Sequence, residues 1–338
     1  MHADHYDGSR GSVHPRHPAL EMLWETAEPA HVLATRFGHD DGDAARTWLT
    51  GLVGEHWGIE VLACHRIVMS DCNALAWLDT SSGGVVAKWS VARDRFARLA
   101  ALTDLTAWLA AQGQPVSAPV TAPSGRTHLT TDGVLLALQR EIDASPLEVS
   151  DLGAVHDAGA ALARLHRELA AYPGTGRVRD VSPDPGPSTV ERVTAWFATP
   201  PPHVPVPLLD ALRRRLDDTP AAPLPVQLLH GDVRAANLLC AQGRVRAVID
   251  LEEARFDTAV DELARGAVML GTKYHRWGPV SPHVRATFRA GYETVRPLAP
   301  DEARWWDVLV GAYSLLMIPP AEDPTGWRAA AEVELLGA

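Results

Sequence analysis

Apolar and polar positions follow two different periods along this chain. Between Ile59 and Ser90 the apolar runs are short: Val61–Ala63, Ile67–Met69, Ala74–Leu78 and Val85–Trp89, with small polar turns at Ser70–Asn73 and Thr80–Gly84. That pattern predicts antiparallel strands. Before it, Ala19–Ala34 and Asp43–His56 carry Leu23 and Trp24, then Trp48, Leu49, Leu52 and Val53, at helical spacing. Both stretches are expected to be helices, with the tryptophans as packing residues. After it, Phe96, Leu99, Leu102, Leu105 and Leu109 make one face of a helix over Arg93–Gln112. Gly113–Pro119 reads as an extended linker, and Thr127–Leu129 with Gly133–Gln139 as a further hairpin.

From Asp151 onward the period is mostly helical. Val155, Ala158, Leu162, Leu165 and Leu169 predict a long amphipathic helix over Asp151–Ala171. Tyr172–Pro225 is dense in proline, which prevents continuous helix or sheet, so only short helices at Ser188–Phe197 and Pro207–Asp217 are expected there. A strand–turn–strand unit follows, with Asn237–Cys240, a Gln242-Gly243 turn and Val245–Ile249. Asp261-Glu-Leu-Ala-Arg265 is expected to enter a helix that Asp261 or Glu262 caps or anchors, and helices continue at Ala267–Leu270, Pro282–Tyr292, Pro300–Met317 and Gly326–Leu336. A sheet-rich first part and a helix-rich remainder make the fold class α+β. No period of 20–50 residues recurs, which rejects a solenoid.

Composition narrows the function classes. The 338 residues carry a net charge of −11, so nucleic acid is not an expected partner. The three cysteines, Cys64, Cys72 and Cys240, are scattered and lack paired metal-ligand spacing, which fits a reducing, cytoplasmic setting. No run reaches the ~18–20 apolar residues of a membrane span, and the N-terminus has no signal-peptide core. Residues 1–18 hold His2, His5, His14 and His17 with no period to fix the imidazoles, so a disordered leader is preferred over a metal-binding tail.

The chemistry concentrates in one loop. His230-Gly-Asp-Val-Arg-Ala-Ala-Asn237 leads into the predicted hairpin, whose far end is Val248-Ile-Asp250. Antiparallel pairing brings Asn237 and Asp250 to the same end, with Asp232 on the adjoining loop. Carboxylates and an amide oxygen suit Mg²⁺, a hard cation that keeps waters and substrate phosphates as its other ligands. Asp232 precedes Asn237 by five residues, the Asp-to-Asn spacing of a kinase catalytic loop. The alternative is a turn-capping Asp and a strand-end Asp with no chemistry.

These residues resemble the signature of the aminoglycoside phosphotransferase and choline kinase-like superfamily, which has the protein-kinase-like fold. The resemblance implies two lobes: an N-lobe over residues 19–137, a hinge at 138–143 and a helical C-lobe over 144–338. It also implies that ATP and Mg²⁺ are used. Asp232 would take the proton of an acceptor hydroxyl, and Asn237 and Asp250 would hold metal. The Ser70–Asn73 turn would cover the phosphates, with Ser70 among the nucleotide contacts, and backbone groups of Leu138, Gln139 and Arg140 would meet the adenine ring. Glu253 and Asp257 are candidate acceptor carboxylates, with a purely structural role as the alternative.

Lys88 supports the same reading from composition. Only Lys88 and Lys273 are lysine among 31 basic residues, yet Lys88 sits inside an apolar strand. A compact ammonium meets phosphate as a point charge, and the resembling family places its phosphate-binding lysine on such a strand. An outward-facing lysine on an edge strand is the alternative. The family's partner glutamate has no counterpart between Ala92 and Gln112, where Asp94 and Asp104 are the only acids. The turn at 70–73 also lacks GxGxxG. His166, on the helix opening the C-lobe, is expected to be a structural hydrogen-bonder.

The expectation is a kinase for a small-molecule hydroxyl acceptor. That acceptor is an aminoglycoside or other antibiotic, or a metabolite such as choline, a sugar or homoserine. The rival from another class is a non-catalytic nucleotide-binding pseudokinase.

Overall fold

Proline and strand pairing settle the start of the chain differently from its apolar spacing. The computed structural model describes residues 17–182, 186–219, 224–274 and 276–337. Most of the expected leader, with His2, His5 and His14, lies outside them. Ala19–Met22 is a strand, β1, that pairs in parallel with Arg66–Met69. The first helix, α1 (Pro29–Phe37), begins only at Pro29, a residue suited to the first turn and destructive in a helix interior. Glu28 caps it by accepting from the backbone N–H groups of Ala30 and His31, and Gly38 ends it at φ 75°. The expected helix over Ala19–Ala34 is thereby corrected. Helix α2 (Gly42–Trp57) forms close to the expected span, capped by Asp41.

The chain divides into two units, ending and beginning at Ser145 and Pro146. The first holds a six-stranded sheet in the order β1-β2-β3-β4-β6-β5, with β2 (Val61–Met69), β3 (Asn73–Thr80), β4 (Gly83–Ser90), β5 (His128–Thr131) and β6 (Val134–Arg140). All pairings except β1–β2 are antiparallel. The two faces of β4 differ, as the pleat requires. Val85, Ala87 and Trp89 are buried in the core shared with α1 and α2, where the Trp89 ring meets Phe37 and Trp48 edge-on. Lys88 points to the opposite face with its register partners Leu75 and Ala137. Helix α3 (Phe96–Ala111) packs Leu99 and Ala100 against Leu135, which is on that same second face.

A two-residue strand, β7 (Ser145–Pro146), marks the boundary. The second unit is mainly helical: α4 (Leu152–Ala171), α5 (Thr175–Asp180), α6 (Thr189–Ala198), α7 (Val206–Asp217), α8 (Ala259–Met269), α9 (Pro282–Glu293), α10 (Pro300–Leu316) and α11 (Trp327–Leu336). Helices α4 and α9 pack almost backbone to backbone. A Cβ at Gly159 would lie 1.9 Å from the Phe288 carbonyl oxygen, and one at Gly291 would lie 1.9 Å from that of His156. Glycine is required at both places by this approach. Two short antiparallel pairs complete the unit: β8 (Val226–Leu229) with β11 (Arg255–Thr258), and β9 (Leu238–Ala241) with β10 (Arg244–Val248). Helix α8 starts two residues before Asp261 and carries Asp261 and Glu262, both buried, in its first turn.

Candidate active site

The loop between β8 and β9 is shaped by bonds from elements far away in sequence. Gly231 adopts φ 91°, and a Cβ there would sit 1.9 Å from the Glu253 carbonyl oxygen, so the residue must be glycine for two independent reasons. Glu262, in the first turn of α8, accepts the backbone N–H of His230 at 3.0 Å and also that of Gly231. The same carboxylate bonds His166 Nε2 at 2.8 Å, and His166 Nδ1 is 2.8 Å from the Tyr292 hydroxyl. His166 is thus the structural hydrogen-bonder expected of it. Burial alone would raise the Glu262 pKa. The His166 hydrogen bond and the nearby His166, His230 and Arg255 outweigh it and hold the value at about 2.

This frame presents Asp232 and Asn237 together. The Asn237 side-chain amide donates to the Asp232 carbonyl at 2.8 Å and to Asp232 Oδ2 at 3.0 Å. Both partners are acceptors, so the NH₂ must face Asp232, and Oδ1 is the atom Asn237 can offer a cation. A 3₁₀ turn over Ala235–Asn237 precedes β9. The Asn237 carbonyl accepts from Ile249 N–H at 3.0 Å, and the Ile249 carbonyl meets His230 Nε2 at 2.9 Å. Asp250 follows directly, exposed and in the left-handed region at φ 66°, a conformation rare for a non-glycine residue. The expected convergence of loop and hairpin end is therefore built by named backbone bonds.

Asp232 is flanked by cations. Arg234 Nε lies 2.9 Å from Asp232 Oδ2, and Arg265 Nη2 lies 3.4 Å from Oδ1. The Gly231 carbonyl accepts from Arg255 at 2.6 Å and from Arg265 at 2.8 Å. Sequence reading did not single out Glu262 as the acceptor that organises this loop, nor the arginines beside Asp232. No local spacing marks Glu262, Arg255 or Arg265, because their partners are 24 to 34 residues away, whereas Arg234 lies two residues from Asp232 within the loop.

The candidate acceptor carboxylates separate. Glu253 is exposed. Asp257 is 6 % exposed and occupied internally: it accepts from Thr189 Oγ1 at 2.9 Å and the Thr258 N–H at 2.8 Å, and Arg192 Nη2 is 2.8 Å from its Oδ2. Arg192 also lies 3.2 Å from Asp261, whose other oxygen accepts from the Tyr313 hydroxyl. Burial and the Asp257 charge push Asp261 up to about 6, against the pull of Arg192. Asp257 is thus a structural tie between α6 and α8, which corrects its candidacy as an acceptor-facing group.

In the first unit, the 70–73 turn forms as expected. Ser70 is 7 % exposed, and its N–H and Oγ both turn back to the Asn73 carbonyl, at 2.8 and 3.3 Å. Lys88 is half-buried on the face opposite the main core. Asp104 of α3 accepts from Thr127 Oγ1 at 2.8 Å.

Of the expected hinge at 138–143, residues 138–140 are the last of β6. Leu138, Gln139 and Arg140 pair with β4 on one side and with residues 117–120 on the other. The Leu138 carbonyl accepts from Val120, Arg140 N–H donates to Ala118, and the Arg140 carbonyl accepts from Ser117 Oγ. These three backbone groups are engaged within the unit.

Among the described residues there is no group of three or more His, Cys, Asp or Glu side chains placed to hold a metal ion. A two-ligand set completed by phosphates and water does not require one. No helix among the described residues is long and apolar enough to cross a membrane.

Residues 73–306 match the model of the phosphotransferase enzyme family, APH. No curated protein matches the chain. Among solved structures, the macrolide 2'-phosphotransferase MphH from Brachybacterium faecium is similar at 17 % identity and a TM-score of 0.56, covering 86 % of this chain and 97 % of that one. A microcompartment-associated aminopropanol kinase is similar at 16 % identity and a TM-score of 0.53, covering 86 % and 94 %. The amicoumacin kinase hAmiN, solved with AMP-PNP, Ca²⁺ and amicoumacin, is similar at 14 % identity and a TM-score of 0.52, covering 85 % and 92 %. These likenesses establish the protein-kinase-like fold.

Proposed function

Because this chain belongs to the phosphotransferase enzyme family, we propose that it is a kinase that uses ATP and Mg²⁺ to phosphorylate a hydroxyl of a small molecule. The observation that carries the proposal is the Asp232–Asn237 loop, clamped from beneath by Glu262 and joined through Ile249 to Asp250.

In this reading Asp232 orients the acceptor hydroxyl and receives its proton on a carboxylate oxygen. Asn237 Oδ1 and the Asp250 carboxylate hold the metal, and their hard-oxygen chemistry fits Mg²⁺. Bound Mg²⁺ supplies charge neutralisation on the phosphates. Lys88 holds phosphate oxygens as a point charge, and the turn containing Ser70 lies over them. Backbone groups of Leu138, Gln139 and Arg140, at the end of β6, meet the adenine ring. Most of the rate enhancement then comes from positioning and electrostatics rather than covalent chemistry.

The acceptor is read as cationic or polyhydroxylated, from the net charge of −11 and the exposed Glu253. An antibiotic such as an aminoglycoside fits this, as does a metabolite such as choline, a sugar or homoserine.

The test is ADP release across a panel of such acceptors, with and without a chelator. Acceptor-dependent release that stops in excess EDTA and returns with added Mg²⁺ is expected. Release that persists in EDTA would refute the metal assignment, whereas ATP binding with no release for any acceptor would favour the pseudokinase reading.

A further inference from the structure

The segment ahead of the sheet does more than cover it. Arg36, in the last turn of α1, reaches the turn between β2 and β3 and donates from Nη1 to the Ser70 carbonyl at 2.9 Å. The same guanidinium is gripped by Glu25, with Nη1 at 3.0 and 3.3 Å and Nη2 at 3.2 Å from the carboxylate oxygens. One residue away, Leu23 N–H donates to the Met69 carbonyl at 2.8 Å. Two successive carbonyls at the end of β2 are therefore fixed by residues from outside the hairpin.

A trans peptide is planar, and its C=O and N–H point in opposite directions. Fixing the Ser70 carbonyl toward Arg36 thus fixes the Asp71 N–H away from it. The far side of the turn is fixed as well. Cys72 O accepts from Ser90 Oγ at 3.2 Å and from Val91 N–H at 3.0 Å, and Asn73 O accepts from both Ser70 donors. The carbonyls at Ser70, Cys72 and Asn73 are all engaged within the unit. A turn with these three carbonyls held within the unit can present the Asp71 N–H dipole to an anion.

We infer that Arg36 is a positioning residue for the nucleotide phosphates, acting through the Ser70–Asp71 peptide, and that Glu25 holds it in place. The inference rests on the reading that the 70–73 turn covers ATP. Glu25 largely neutralises Arg36, so the guanidinium acts by orienting the peptide and not by attracting phosphate directly. The Glu25 hydrogen bond and charge, with a smaller contribution from the Asp71 charge, hold Arg36 in its charged form.

The test compares two probes, MgATP and adenosine, by calorimetric titration of the full chain. Arg36→Met should weaken MgATP about 10-fold, the scale of one lost hydrogen bond to a charged group, and leave adenosine unchanged. Arg36→Lys, which keeps a donor and the charge pair, should recover part of the loss. Glu25→Gln should fall between wild type and Arg36→Met. Equal weakening of both probes would mean a general structural role and would overturn the inference. So would unchanged MgATP affinity in Arg36→Met when wild type binds MgATP. Failure of wild type itself to bind MgATP would instead refute the reading of the turn, and the inference with it.

Discussion

Asp232→Asn should bind MgATP as wild type does and transfer phosphoryl groups ~10²–10⁴-fold more slowly, the usual contribution of a positioned general base. Asparagine keeps the volume between Arg234, Arg265 and the Asn237 amide, so the loop is retained while the proton acceptor is lost. Single-turnover transfer to any acceptor found in the panel gives the rate, and titration gives the binding. Transfer at the wild-type rate would exclude Asp232 as the base. Loss of nucleotide binding would mean that its main task is to hold the loop together.

Glu262→Gln should lower stability by about 3–5 kcal/mol, the cost of breaking a buried ionic hub. The carboxylate receives two backbone N–H groups and His166. An amide would turn donors toward donors at one of its two ends. For a unit of this size that is a fall in Tm on the order of 10 °C, read by circular dichroism. The pH dependence has a definite sign. The Glu262 pKa is lowered from 4.5 to about 2 in the folded protein. Its contribution is therefore fully present above about pH 5 and is lost as pH falls toward 2. The variant should lack that component of acid sensitivity. A Tm within a degree or so of wild type would show that Glu262 does not hold the loop.

How much of this could be seen in the sequence depends on the range of the interactions involved. The loop and hairpin at 230–250 were legible, because the Asp232-to-Asn237 spacing, the Gln242-Gly243 turn and the apolar strands lie within some twenty residues. Lys88 stood out by its rarity and its apolar neighbours, and alternation in β4 does place it opposite Trp89. Helix α4 followed from its period. What failed was decided by distant partners. Ala19–Met22 belongs to the stretch whose Leu23 and Trp24 suggested a helix, but it pairs with β2, and only the tertiary partner makes it a strand. Gly113–Pro119 looked like a plain linker, yet Pro119 pairs with Gln139 beside the sheet. Asp257 looked like a cleft acid, but Arg192, 65 residues earlier in the chain, takes it. Glu262 looked like a helix-start acid and is instead the anchor of a loop 31 and 32 residues away.

The most direct test of the account is calorimetric titration of MgATP into Lys88→Met and Asp250→Ala beside the wild type. Lys88 is proposed for the phosphates and Asp250 for the metal. Saturable binding to the wild type and a loss of affinity of ~10–100-fold in each variant are expected, as for an ionic contact to phosphate or metal. Wild-type affinity in both variants would contradict it.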